Sequence, residues 1–219
     1  RLWRELDAPF AERCLTSAER AWKAANDNPI FTYGSIPGNA VGGGDYGDGN
    51  VEDEFFWAAA ELYVTTGEQA YHDYLASSPY FAGRFNAGQE TALTWGDVGV
   101  AGTLTLALHP EKLTTEEQTV VRNLLIRIAD HYVEVTAGEG YRVAMPPTGY
   151  SWGNNSYLLN NGMVMAYAYR LTGEARYLDA VVETMDYVLG RNGLNFSFVA
   201  GYGTDAMQHP HHRFWADRP

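Results

Sequence analysis

The chain has 219 residues, 46% hydrophobic and 14% aromatic, which is enough for one large domain or a cramped pair with a sizeable core. With 15 basic against 27 acidic residues its formal net charge is -12, which argues against binding to nucleic-acid backbones or to an anionic membrane surface. The single cysteine, Cys14, excludes an internal disulfide and a zinc–thiolate cluster, no run approaches the length of a transmembrane helix, and Arg1-Leu2-Trp3-Arg4 is not a signal peptide.

Asp7 is placed to cap a helix over Ala8 to Ala25, with Leu15, Ala18, Ala21 and Trp22 as its apolar stripe. Asn26 to Gly49 reads as a long loop, with Pro29, Pro37 and Gly42-Gly43-Gly44. The next helix, Glu52 to Thr66, is apolar almost all round and predicts an inner helix covered on every side. Gly67 breaks it, and Glu68 to Ala76 starts another. Ser77 to Gly96 is loop or short helix. Asp97 precedes an apolar helix over Val98 to Leu108. Thr114 or Thr115, with Glu116 and Glu117, opens a long helix to about Ala137, whose buried stripe is Val121, Leu124, Leu125, Ile128 and Tyr132. A loop from Tyr141 to Gly153 leads to helices over Asn154 to Leu171 and Glu174 to Leu189. Two short segments read as strands, Tyr141 to Ala144 and Phe196 to Val199.

An internal repeat runs through this pattern. Thr66-Gly67-Glu68 and Tyr71, with Asp73, recur as Thr172-Gly173-Glu174, Tyr177 and Asp179. Each copy follows an apolar helix and opens an amphipathic one. The physical reading is a hairpin of inner helix, glycine turn and outer helix. Such hairpins stack into a superhelix or close into a toroid. The chain is therefore expected to be all-α, with its long loops collected at one end of the hairpins.

Four stretches carry chemistry. Asp45 to Glu54 is dense in hard oxygen donors, although its register is not that of an EF-hand, because the required glycine falls at Asp53. It serves either a calcium ion or the dipole of the helix it opens. Trp95-Gly96-Asp97 and Tyr150-Ser151-Trp152-Gly153-Asn154-Asn155 each set an aromatic beside a glycine at a helix start. Such rings either stack on the apolar face of a sugar or pack over the core. The stretch Phe198 to Arg213 has three histidines, an arginine, an aspartate and two glycines without helical period, and reads as a shaped functional loop. Gly201 and Gly203 allow backbone angles that other residues avoid, and Pro210 pushes His209 toward an extended conformation. His209, His211 and His212 lack a carboxylate pattern that completes a zinc set. Hydrogen bonding to a polar ligand, with Arg213 as a fork of donors, fits better. No nucleophile elbow, phosphate loop or dinucleotide fingerprint is present.

Taken together, Gly190-Arg191-Asn192, then Ser197-Phe198-Val199-Ala200-Gly201-Tyr202-Gly203 and Pro210-His211-His212-Arg213, resemble a signature of glycoside hydrolase family 9, the cellulases and endoglucanases. Gly43-Gly44-Asp45-Tyr46-Gly47-Asp48 leading into Asp53-Glu54-Phe55-Phe56-Trp57, and Tyr150 to Ser156, support the resemblance in the family's order. The resemblance implies an (α/α)6 barrel, here as an incomplete segment, and hydrolysis of β-1,4-glucan with inversion. It makes residues 1–219 the middle-to-C-terminal part of one catalytic domain of a secreted, extracellular, bacterial-type enzyme whose signal peptide is not in this chain. It implies His211 as the active-site residue of the loop, and Trp152, Tyr202, His211 and Arg213 as substrate-binding. It also implies a structural calcium ion on Gly49, Asn50, Asp53, Glu54 and Asp97.

The sequence departs from the family pattern where it matters for catalysis. It contains no Asp-Ala-Gly-Asp segment, which in the family carries the base, and no Glu follows Arg213, where the family has its acid. Gly193 stands where Pro is frequent, Ala200 where a hydroxyl or Val is usual, and Asp205 where an amide or base is usual. The 219-residue chain is thus expected to be inactive alone and, as an incomplete barrel, to self-associate. The competing expectation is a non-catalytic, carbohydrate-binding α-toroid module. A third is another α-toroid glycosidase or a polysaccharide lyase with its catalytic residues inside this chain.

Overall fold

The computed structural model describes residues 1–29, 49–83, 91–151 and 153–210. Its helices are α1 (Ala8–Asp27), α2 (Glu52–Thr66), α3 (Gln69–Ser77), α4 (Gly99–Ala107), α5 (Thr115–Gly138), α6 (Asn154–Thr172) and α7 (Ala175–Leu189), with 3-10 turns at Pro110–Lys112 and Pro147–Gly149. Their starts follow the sequence signals. Asp7 Oδ1 accepts from Phe10 N at 2.9 Å. At the head of α5 the Thr114 amide donates to Glu117 Oε2 at 2.9 Å while the Glu117 amide donates to Thr114 Oγ1 at 3.3 Å, a reciprocal capping box.

The chain divides into two compact units. The first holds α1 to α4 and α5 as far as Leu125; the second holds α5 from Ile126, α6, α7, the loop beyond α7, and Thr91 and Ala92.

The repeat is a structural one. Gly67 and Gly173 take the left-handed conformation at φ 76° and 74°, and their amides donate to Tyr63 O at 2.8 Å and Tyr169 O at 2.7 Å. Thr66 and Thr172 donate back to the carbonyls of Leu62 and Ala168 and accept from the amides of Glu68 and Glu174, both at 3.1 Å. Each turn thereby satisfies the carbonyls that a helix end leaves open. Tyr71 and Tyr177 then bury their rings at the start of the outer helix.

In the first unit Phe56, Ala59, Ala60, Val64, Leu75, Tyr80, Leu106, Leu113 and Val121 form the core. Burying one of the large apolar side chains contributes about 1.5–3 kcal/mol. Two glycines let α4 lie against its neighbours. A Cβ on Gly102 would stand 2.7 Å from the Phe56 ring and 3.2 Å from Trp57 Cα, and one on Gly99 would stand 2.4 Å from the Tyr80 ring. The expectation that α2 is covered on every side does not hold: Glu54, Trp57 and Ala58 are exposed. Glu54 and Ala58, with the stripe of α1, face an open apolar groove of about 720 Å³, lined by Leu15, Ala18, Trp22, Phe55, Ala58 and Leu62 among others. Helix α1 buries none of its residues fully.

In the second unit Val143, Met145, Leu158, Tyr187 and Val188 pack together, with Tyr157 and Phe198 against them. Asn161, fully buried, accepts from the Ala92 amide at 2.7 Å and donates to Ala144 O at 2.7 Å. The two predicted strands are not formed. Arg142 sits at φ 52° inside the first, which breaks an extended run through it, and in the second only Ser197 makes a bridge. Among the described residues the only β-type pairing is isolated bridges, Thr94 with Asp97 and Ser197 with Ala206. No helix there is long and apolar enough to cross a membrane.

Candidate functional site

The oxygen-rich stretch reaches the described residues at Gly49. Asp53, in the first turn of α2, is fully buried. Its Oδ1 accepts from Asn50 Nδ2 at 3.0 Å and its Oδ2 from the Val98 amide at 2.7 Å. One carboxylate thus joins the start of α2 to the start of α4. Asn50 Nδ2 also reaches Tyr80 Oη at 3.1 Å, and Asp97 Oδ1 accepts from the Gly99 amide at 3.0 Å. Among the described residues no lysine or arginine pairs with Asp53. Carboxylates buried this deeply are normally paired with a cation or coordinate a metal. That is the observation by which this corner fits a cation. Glu54 lies elsewhere, exposed on the wall of the α1 groove. Among the described residues no group of three or more His, Cys, Asp or Glu is gathered as a metal site. Asp45 and Asp48 fall outside the described residues.

The loop after α7 is a scaffold of hydrogen bonds. Asn192, nearly buried, donates to the carbonyls of Tyr187 and Phe196 at 2.8 Å each and accepts from the Leu194 amide at 3.0 Å. Arg191 donates to Tyr141 O at 2.6 Å and Glu183 O at 2.7 Å, and pairs with the Glu183 carboxylate. The Ser197 amide donates to Asp205 O at 2.8 Å and the Met207 amide to Ser197 O at 2.9 Å, closing the turn between them. Gly201 and Gly203 occupy φ 73° and 107° inside it, as the sequence required. His209 departs from expectation: it stands at φ 51°, in the left-handed region, because the chain bends there as it leaves the bridged turn.

Of the residues proposed for substrate, Tyr202 lies at the tip of this turn and is 63% exposed. Trp152, His211, His212 and Arg213 fall outside the described residues. Trp95 is exposed and precedes Asp97 and α4. Three positioning residues had no role from the sequence: Asn161, and Arg191 and Asn192, which appear there only as part of the family signature. Asn161 was signalled by an amide inside an otherwise apolar helix face. Arg191 and Asn192 directly follow a helix-ending glycine, where side chains commonly tie the exiting chain.

The family model for Glycosyl hydrolase family 9 matches residues 1–219. A "Cellulose 1,4-beta-cellobiosidase" of Acetivibrio thermocellus is 43% identical, the match covering 98% of this chain and 26% of that protein. "Endoglucanase C" of Cellulomonas fimi is 39% identical over 99% of this chain and 19% of its own length. Among solved structures, the GH family 9 endoglucanase J30 matches with a TM-score of 0.89 at 27% identity, covering 99% of this chain and 39% of that one. The Bacteroides ovatus GH9 structure matches at 0.84 and 30% identity, over 99% and 40%. The fold class is therefore the one the sequence implied, all-α and corresponding to part of an (α/α)6 barrel. The chain spans about a fifth to a quarter of the length of these two curated relatives.

Proposed function

The chain belongs to glycosyl hydrolase family 9, and from that premise we propose that residues 1–219 are the middle-to-C-terminal part of one catalytic domain of an inverting endo-β-1,4-glucanase. The observation that carries this reading is the family match over the whole chain. The substrate is a β-1,4-glucan such as cellulose, and the enzyme acts outside the cell. In an inverting glycosidase one carboxylate activates water while a protonated carboxyl on the opposite face assists the leaving oxygen. This chain's part is to bind and orient. His211 and Arg213 hold the sugar beside the scissile bond, and Trp152 and Tyr202 line the groove. The turn from Ser197 to Met207, which precedes His211 in the sequence, is held by backbone hydrogen bonds.

A structural calcium ion belongs to the same proposal. The buried Asp53, with Asp97 and the carbonyl oxygens of Gly49 and Asn50, would supply the hard oxygen donors that calcium takes. Glu54 joins that set only by turning away from the α1 groove. When bound, the ion would neutralise Asp53 and pin the heads of α2 and α4. The open flank of α1 and α2 also supports self-association of the isolated chain.

The test is hydrolysis of soluble cellulose by the 219-residue chain, with binding of cello-oligosaccharides measured in parallel. Binding without turnover is expected. Turnover overturns the assignment of proton transfer to carboxylates outside this sequence. If a longer protein that contains this chain together with an Asp-Ala-Gly-Asp segment and a later Glu also binds without turnover, the carbohydrate-binding reading replaces the enzymatic one.

A further inference from the structure

The chain contains two Asn-Gly steps, Asn161-Gly162 and Asn192-Gly193. Asn161 lies inside α6 and is fully buried. Asn192 lies just beyond α7 and is nearly buried, but Gly193 after it is exposed. Such steps rearrange spontaneously in water. The glycine amide nitrogen loses its proton to hydroxide and attacks the asparagine Cγ. A new C–N bond closes a five-membered succinimide and the Cγ–Nδ2 bond breaks. Nδ2 leaves as ammonia, taking a proton from water and restoring the hydroxide. A further water opens the ring at either carbonyl, which gives aspartate or isoaspartate.

At Asn192 the structure supplies what this reaction needs and also what restrains it. Oδ1 accepts from the Leu194 amide at 3.0 Å, which draws electron density away from Cγ. Among the described residues the Gly193 amide donates no hydrogen bond, so its nitrogen is not occupied. A proline at 193 would have no N–H to lose. Packing retains the glycine, because a Cβ there would lie 3.0 Å from the Tyr141 hydroxyl. The restraint is on the leaving group. Nδ2 donates to Tyr187 O and Phe196 O at 2.8 Å each, which uses both of its protons and holds the amide planar. Gly162 differs, because it lies within α6, where amides bond along the helical ladder.

We propose that Asn192-Gly193 is a deamidation site that the fold holds shut, and that its reaction frees the loop after α7. Opening of that loop alone releases Nδ2, whereas Asn161 is released only when α6 itself unfolds. The product carboxylate places an acceptor oxygen where Nδ2 donated. Both bonds to Tyr187 and Phe196 are then lost, and oxygens face oxygens in a nearly buried place. Isoaspartate also lengthens the main chain by a methylene just before the turn from Ser197 to Met207. Asn195 is exposed in the same loop but precedes Phe196, whose side chain crowds the attacking nitrogen, so it stays intact.

Incubation at mildly alkaline pH, followed by peptide mapping with mass spectrometry, tests this. In guanidinium chloride both Asn192 and Asn161 are expected to convert. In native buffer Asn192 converts about tenfold or more slowly than in guanidinium chloride, because the bonds on Nδ2 must open first, and still faster than Asn161. In guanidinium chloride Gly193→Pro keeps Asn192 intact while Asn161 converts, a result that does not depend on the variant's fold. Asn192→Asp lowers the melting temperature. No conversion of Asn192 in guanidinium chloride, or conversion undiminished in Gly193→Pro, overturns the succinimide route. Equal rates in the two solvents overturn the restraint. Conversion of Asn192 no faster than that of Asn161 in native buffer overturns the local opening, and an Asn192→Asp variant as stable as the native protein overturns the release of the loop.

Discussion

The hairpins α2–α3 and α6–α7 share one turn and differ in almost everything attached to it. Both turns use a left-handed glycine, a threonine that bonds in both directions and a buried tyrosine three residues after the glutamate. The outer helices are then tied to α5 by different chemistry. His72 of α3 meets Glu117 at 2.7 Å. In the other copy Tyr177 donates to Asp130 at 2.6 Å, while Arg176 reaches the same carboxylate at 2.7 Å. The inner helices begin differently too. The head of α2 buries a carboxylate that bonds the head of α4. The chain leaving α7 is tied back by Asn192. The shared turn is what any stacked hairpin needs; the candidate sites are where the two copies diverge.

The largest expected effect breaks this comparison at the head of α2. Asp53→Ala leaves the Val98 amide without its buried acceptor and removes one of the bonds of Asn50, at a cost of about 1–3 kcal/mol of stability in urea denaturation. Asp53→Asn keeps an acceptor oxygen but loses the charge, and costs less. If the proposed calcium ion binds there, calcium is expected to raise the melting temperature of the native protein, and neither variant is expected to keep that gain. A native protein whose melting temperature ignores calcium removes the metal from the proposal. A response retained in Asp53→Asn shows that the ion sits elsewhere.

The turns themselves sharpen the comparison at a smaller scale. Gly67 and Gly173 have open space where a Cβ would go, so an alanine there meets no neighbour and pays only for the left-handed backbone. Gly67→Ala and Gly173→Ala should each cost about 1–2 kcal/mol, and by nearly the same amount. Clearly unequal values would show that one turn is supported by its surroundings and that the repeat is one of sequence more than of energetics.

How much of this was legible beforehand follows from the range of the interactions. The Thr-Gly-Glu turn, the Asp7 cap, the capping box at α5 and the buried stripe of α5 are local, and each is written in a few adjacent residues. The misread strands at Tyr141 and Phe196 are apolar runs whose burial comes from packing against α6 and α7, not from a sheet. Nothing local distinguishes those two sources of burial. The bond from Asp53 to Val98 spans 45 residues, and that from Ala92 to Asn161 spans 69. Asp53 and Asp97 could be read as helix openers, but not as neighbours, until a resemblance placed them together. The approach of the Tyr141 hydroxyl to Gly193 is likewise one that no spacing rule anticipates.

The smallest effect separates the two ties to α5 by pH. Burial alone would raise the Glu117 carboxyl, but the Thr114 amide and His72 outweigh it and hold it below its ordinary value of 4.5. A carboxyl depressed by folding contributes stability that is present above 4.5 and is lost as the pH falls through its folded value. In the other tie the groups that reach the Asp130 carboxylate are a tyrosine and an arginine, which keep their protons throughout this range. Burial pushes the Tyr177 hydroxyl up, and the Glu174 carboxylate raises Arg176 further. Glu117→Gln therefore destabilises modestly at neutral pH, and the gap between native and variant in urea denaturation closes as the pH is lowered below about 4.5. His72 and Glu117 are only partly buried, so solvent keeps the effect small. A gap that stays constant from pH 7 to pH 3 would mean that Glu117 acts as a neutral capping group for α5, and that the two hairpins differ less in electrostatics than their contacts suggest.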